Sequence, residues 1–364
     1  MKTTTAQRWQ DAFANLQQWV QAQEGLEVTP TRLSVPKSSR EAFYNRVGVV
    51  QRMLAEVALG TGLAEAQQLA QQVSSTRETF CQATGLGCYR FAPRLEQFVA
   101  DPRTAAARPL QAVVIDALSG SLALDRMETA ACQAAQVPFS GLLRNAYEAW
   151  VYLTALLALD PVHLWTVDTD GTDQTVAIPS DEVRVGWQKP SRELRLPEAI
   201  MRTKDGATFA VKTECAREID YYDTLEPPAR DTSAGGNTHE LLCHRMLLVY
   251  RLADEAAVAP VVDRKKKVQT HCDLAFEVLS PSEMTTPTYL GAFIQRAQKL
   301  RTKRPIQILT YERDARFPAE MTEDPLAPAV AVHGVGFDAS AVEAVVQNTL
   351  AEPAVIPVPR PVTC

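Results

Sequence analysis

The chain has 364 residues, 46% of them hydrophobic and 22% charged, which is the balance of a globular protein long enough for two domains. Its net charge is −6 and its pI is about 5.5. Those values exclude a protein coated in positive charge but leave room for a local basic groove. The seven cysteines are scattered and odd in number, with no Cys-x-x-Cys pair, as expected of free thiols in a reducing compartment. The N-terminus has no apolar signal core, and no apolar run approaches the length of a membrane span, so a cytoplasmic protein is expected.

Residues 5–23 predict an amphipathic helix, with Trp9, Phe13, Leu16 and Val20 at three- and four-residue steps. Residues 26–33 predict a strand or extended connector. Ser38 as N-cap, with Glu41 three residues later, predicts a helix over about 39–58, ended by Gly60 and Gly62. Residues 63–76, 91–99, 103–117 and 125–136 read as further helices. Residues 140–159 form the most apolar helix, so it should be buried, yet Glu148 lies in it. A buried carboxylate needs a partner, and Arg144 four residues back is one candidate.

Asp160-Pro161 breaks that helix, and short β-like runs follow at 164–167, 176–178 and 183–187. Next come two strands at 193–201 and 207–215, joined by the turn 202–206. After them come a polar loop with Gly235-Gly236 and an apolar stretch from His244 to Arg251 read as a helix. Strands are expected at 258–262, 271–279, 305–311 and 330–336, with helices at 289–300 and 339–350. Prolines at 353, 357, 359 and 361 predict an extended, poorly ordered tail over 351–364. The expected layout is α+β: a helical N-terminal half, 1–160, packed on the mixed sheet of an α/β half, 161–350.

The strand pair at 193–215 carries the candidate chemistry. Glu198 follows Pro197 on the first strand. Ala210, Lys212 and Glu214 share one face of the second by alternation. Acids that hold a hard cation through oxygen, beside a lysine that offsets charge on a phosphodiester, are the parts of a metal-dependent nuclease site. The same residues also read as a cross-strand ion pair, Glu198 with Lys212, and an edge charge, Glu214.

The order Tyr147-Glu148-x-Trp150, Pro197-Glu198, Ala210-Val211-Lys212 and His244-x-Met246-x-x-x-Tyr250-Arg251 resembles the PD-(D/E)XK nuclease module of McrC, the subunit of McrBC restriction systems. The resemblance covers about 140–350. It implies a DNA endonuclease in antiviral defence, with Mg2+ as cofactor, DNA as substrate and a protein partner that finds the target. It assigns Glu198, Lys212 and Glu214 to catalysis and Glu148, Glu198 and Glu214 to the metal. The chain departs from the module at Ala210, where an acid is expected two residues before the lysine. That leaves a second expectation, a catalytically inactive nuclease-fold subunit that binds nucleic acid or acts as an adaptor or scaffold. Two basic clusters would contact phosphate: Arg264, Lys265, Lys266 and Lys267, then Lys299, Arg301, Lys303 and Arg304. Asp273 and Glu277 form a further acidic pair, with no lysine after them in their own run. No phosphate-binding P-loop, Gly-x-Ser-x-Gly or dinucleotide fingerprint occurs in the sequence.

Overall fold

A computed structural model describes residues 5–169, 175–179, 182–184, 197–215, 245–253, 262–263, 268–269, 271–286, 293–294, 297, 300, 302–314 and 329–353. The structure is mixed α+β and divides into two compact units. One comprises Met1–Ser74 with Pro93–Tyr147, the other Ser75–Ala92 with Glu148–Cys364. The division passes through two helices rather than falling at residue 160.

The first unit is helical, apart from a small hairpin of β1 (Glu27–Thr29) and β2 (Arg32–Ser34). Helix α1 (Thr5–Gln21) buries Trp9, Phe13 and Leu16, one stripe of three- and four-residue steps. Each such side chain contributes roughly 1.5–3 kcal/mol on burial. The Trp9 indole N–H donates to Glu128 Oε1 at 2.7 Å, satisfying the one polar atom the burial would strand. Helix α2 (Arg40–Leu59) starts from Ser39, not Ser38, and the cap makes no side-chain hydrogen bond. It ends at Gly60, whose φ of 51° favours a residue without Cβ. Helix α3 (Thr61–Thr84) follows at a 104° bend, so Gly62 lies inside a helix rather than ending one. Helices α4 (Pro93–Ala100), α5 (Pro102–Ala107) and α6 (Gln111–Leu118) complete this stretch.

Helix α7 (Met127–Leu157) replaces the two helices expected at 125–136 and 140–159. Pro138 lies within it and removes one backbone bond. The helix continues because Ala131, Ala135, Phe139, Leu142 and Ala146 form an unbroken buried stripe across the proline. The carbonyl deprived of its donor belongs to Ala134, on the half-exposed side. Among the described residues no single helix is long and apolar enough to cross a membrane.

The second unit is built on an eight-stranded sheet. Its strands are β4 (Pro161–Thr169), β5 (Thr175–Pro179), β7 (Ala199–Thr203), β8 (Thr208–Cys215), β9 (Arg245–Leu252), β12 (Leu274–Val278), β13 (Ile306–Thr310) and β14 (Val330–Gly334). Their spatial order is β14-β13-β12-β9-β8-β7-β4-β5. The run from β5 to β12 is antiparallel, while β12, β13 and β14 are parallel neighbours. Outside this sheet, β3 (Cys88–Arg90) pairs with β6 (Glu182–Arg184), and β10 (Val262–Asp263) with β11 (Val268–Gln269).

Strand β9 corrects the helix expected over 244–251. The run Met246 to Tyr250 is five apolar residues, short enough to suit either element. Every one is buried, which fits a central strand covered on both faces. Strands β12 and β13 are likewise buried at every position. The parallel step between them needs a crossover. That connection contains α8 (Pro281–Thr285), opened by a capping box between Ser280 and Glu283. Phe293, Ile294 and Ala297 in it are helical, and Phe293, Ala297 and Leu300 are buried. Helix α9 (Ala339–Ala351) closes the unit, with Asp338 as N-cap. The proline-rich residues 354–364 lie outside the described residues.

Candidate functional site

The hairpin β7–β8 positions the residues singled out in the sequence. Its turn is closed by Thr203, whose N–H donates to the Ala207 carbonyl at 2.9 Å, and by Gly206 at φ 85°. Asp205 is held below the usual carboxylate range by the Thr203 hydroxyl and then by the Ala207 N–H. Register across the hairpin pairs Ala199 with Val211 and Ile200 with Ala210.

Glu198 lies just before β7. Its N–H donates to the Val211 carbonyl at 2.9 Å, although Ala199 is the register partner of Val211. Two residues thus face one, as at a β-bulge. Glu198 is 8% exposed, and its Oε1 accepts from the Thr213 hydroxyl at 2.8 Å. Thr213 and Lys212 are consecutive in β8, so they project to opposite faces. Glu198 Oε1 is therefore directed to the Thr213 side, and Lys212 leaves from the other.

Lys212 is 0% exposed. It pairs with Leu248, which shares a buried apolar cluster with Ala210, Tyr250, Ala275, Phe293 and Ile308. On that same face, Glu277 of β12 is also 0% exposed, because it pairs with Met246 on one side and Ile308 on the other. Register makes two adjacent rows across the sheet: Lys212–Leu248–Ala275, then Glu214–Met246–Glu277. The sequence placed Glu277 behind the hairpin residues because no lysine follows it in its own strand. The lysine on its face comes from β8, two strands away, and only strand order reveals that. Thr310 lies on this face as well, wholly buried.

No family model, curated protein or solved structure matches this chain.

Glu148, in α7, is 7% exposed. One turn further on, the Tyr152 hydroxyl donates to the Phe276 carbonyl of β12 at 3.4 Å, so this stretch of α7 lies against the sheet. The Glu214 side chain lies outside the described residues. Among the described residues no three His, Cys, Asp or Glu side chains gather as metal ligands. At the position where the resemblance implies an acid, Ala210 is a buried methyl within the apolar cluster.

Of the basic residues, Arg264, Lys265, Lys266, Lys267, Lys299 and Arg301 lie outside the described residues. Lys303 and Arg304 are engaged within the fold. Lys303 Nζ donates to both oxygens of Asp273 at 3.0 Å, and the Arg251 N–H donates to the same carboxylate at 2.7 Å. Arg304 donates to the carbonyls of Asp273, Leu350 and Glu352, capping the C-terminal end of α9. Asp273 thus joins β9, β12 and the loop before β13, which is a structural use of the acid. Beside it, burial first and the Asp273 charge second push the Cys272 thiol up to about 12, so it stays protonated and unreactive.

Proposed function

We propose that this chain is a nuclease-like protein of a bacterial DNA-processing or defence system. It works in the cytoplasm, beside a protein partner that finds the target, and its second unit is a PD-(D/E)XK-like domain. The layout supports this reading. A helix bearing Glu148 leads into a mixed sheet whose β7–β8 hairpin carries Glu198 and Lys212, and a strand and a helix close the unit. That follows the order of the module the sequence resembles, except that the stretch Met246 to Arg251 is strand β9 where the module has a helix.

Within this reading the chain binds DNA or serves as an adaptor rather than cutting. The observation that carries the choice is Lys212, sealed at 0% exposure with the Ala210 methyl where the module has an acid. A lysine closed off from solvent in this way is out of reach of a phosphate. Phosphate contacts then fall to Arg264, Lys265, Lys266, Lys267, Lys299 and Arg301. The second reading is a Mg2+-dependent endonuclease, favoured by the fixed orientation of Glu198 Oε1 on Thr213. In that case Glu214 has to supply the acid that Ala210 lacks, with Glu148 as a further ligand.

Incubation with plasmid and Mg2+, alongside a gel-shift titration in rising salt, tests both. The expected result is no cleavage and a DNA affinity that falls steeply with salt, by a slope that charge reversal over 264–267 reduces. Mg2+-dependent cleavage that a folded Glu198→Gln variant abolishes would replace the first reading with the second. A chain that neither binds nor cleaves DNA sinks the DNA-binding and the endonuclease readings and leaves the adaptor role.

A further inference from the structure

The last turn of α3 carries a pair of thiols that the proposed function does not use. Cys81 lies at the fourth-last position of the helix, and Cys88 opens β3. The turn between them is a Schellman motif: Gly85 takes a φ of 72°, and the Leu86 N–H donates to the Cys81 carbonyl at 3.0 Å. The chain therefore reverses tightly, and β3 runs back along the helix it has just left. Four contacts accompany that return. The Tyr89 ring meets Phe80 edge-on with centroids 5.6 Å apart. Phe91 meets Tyr89 edge-on at 5.5 Å and lies under the Arg77 guanidinium at 5.3 Å. The Tyr89 backbone amide also lies close enough to the Cys81 thiol to lower its pKa. Cys81 follows Phe80 and Cys88 precedes Tyr89, so the two thiols flank the same ring contact. Both are partly exposed, within reach of a small reagent.

We propose that Cys81 and Cys88 form a redox modification site, a dithiol that closes to an intramolecular disulfide on exchange with a small-molecule disulfide such as oxidised glutathione. One thiolate attacks a glutathione sulfur, giving a mixed disulfide and releasing one glutathione thiolate. The other thiolate then attacks the protein sulfur of that mixed disulfide and expels the second. The protein dithiol loses two electrons and two protons, and the oxidised glutathione gains them as two thiols. Burial holds the Cys81 thiol above its ordinary value, opposed by the Tyr89 amide and raised further by Cys88, while Arg77 lowers it and Glu78 raises it. Closure is accordingly slow at neutral pH and quickens as pH rises. The bridge fastens β3 to the end of α3, and through β3 it holds β6, the register partner of β3.

The test uses the full chain. Trypsin cuts after Arg77 and Arg90, so one peptide, residues 78–90, holds both thiols and no other cleavage site. The chain is treated with oxidised glutathione until the exposed Cys132 is glutathionylated, then alkylated, digested and weighed. The expected 78–90 peptide lacks two hydrogens, carries no alkyl group or glutathione, and regains two thiols on reduction. Cys81→Ser and Cys88→Ser should each leave the remaining cysteine as a stable glutathione adduct. A peptide that carries two alkyl groups, or two glutathiones, at the point where Cys132 has reacted overturns the proposal.

Discussion

Among the described residues, Lys212 and Glu277 are the two charged side chains of the sheet with no exposure at all, on one face and in neighbouring rows. An ammonium or a carboxylate taken from water must be compensated inside the protein, and breaking a buried pair from one side typically costs about 3–5 kcal/mol. Lys212→Met is therefore expected to destabilise the chain by about that amount in urea unfolding, and Glu277→Leu similarly. The double variant should recover much of the loss; additive losses would show that the two charges do not compensate each other. Gly334 gives a second residue-scale expectation. A Cβ there would meet the backbone of Arg313, which cannot swing aside as a side chain could. Gly334→Ala should cost about 1–3 kcal/mol by the same measurement. The sequence displays Lys212, Glu198 and Glu148 plainly, since a charge in an apolar run stands out. It hides Glu277 as a neighbour of Lys212, because the two are 65 positions apart and meet only through the order β8-β9-β12.

Among the elements, alternation and punctuation made most boundaries legible. The turn expected at 202–206 falls within two residues of its place, between Thr203 and Thr208, and the break at Asp160-Pro161 and the closing β14–α9 pair fall where the sequence puts them. Strand β9 does not, and the reason is physical. A continuous apolar run has no period of its own, so its neighbours decide whether it becomes a helix or a strand. The helices expected at 125–136 and 140–159 are one, because a long apolar stripe outweighs the single backbone bond lost at Pro138. At the edge of the sheet, His333 of β14 bonds Gln307 of β13 at 2.8 Å through Nε2. Burial lowers its pKa from the ordinary 6.5, and Glu352 only partly offsets this. The unfolded chain then binds the proton first, so the contribution of His333 is complete above pH 6.5 and fades as pH falls through the folded value. Urea midpoints between pH 7 and pH 5 should decline, and His333→Asn should flatten that decline. An unchanged slope would show that the imidazole does not contribute.

On the scale of the whole molecule, each unit contains a buried apolar cluster. One gathers Trp9, Phe13, Phe43 and Met127, the other Met246, Leu248, Phe293 and Ile308. Chains of more than one unit commonly unfold in more than one step. Trp9 and Trp19 fall in the first unit, Trp150 and Trp165 in the second. Variants keeping only one of these pairs should therefore give fluorescence transitions that do not coincide. A single shared midpoint would mean that α3 and α7, which run through both units, make the chain melt as one.

The grip of Arg304 on the last carbonyls of α9, with Gln347 donating to the Ala158 carbonyl at 2.6 Å, has a practical corollary. A helix fastened in this way does not wag like a loose end. A nitroxide or dye attached at the exposed Glu343 should thus inherit the tumbling of the sheet beneath it. That makes this position a dependable fiducial for distance spectroscopy on anything the protein engages.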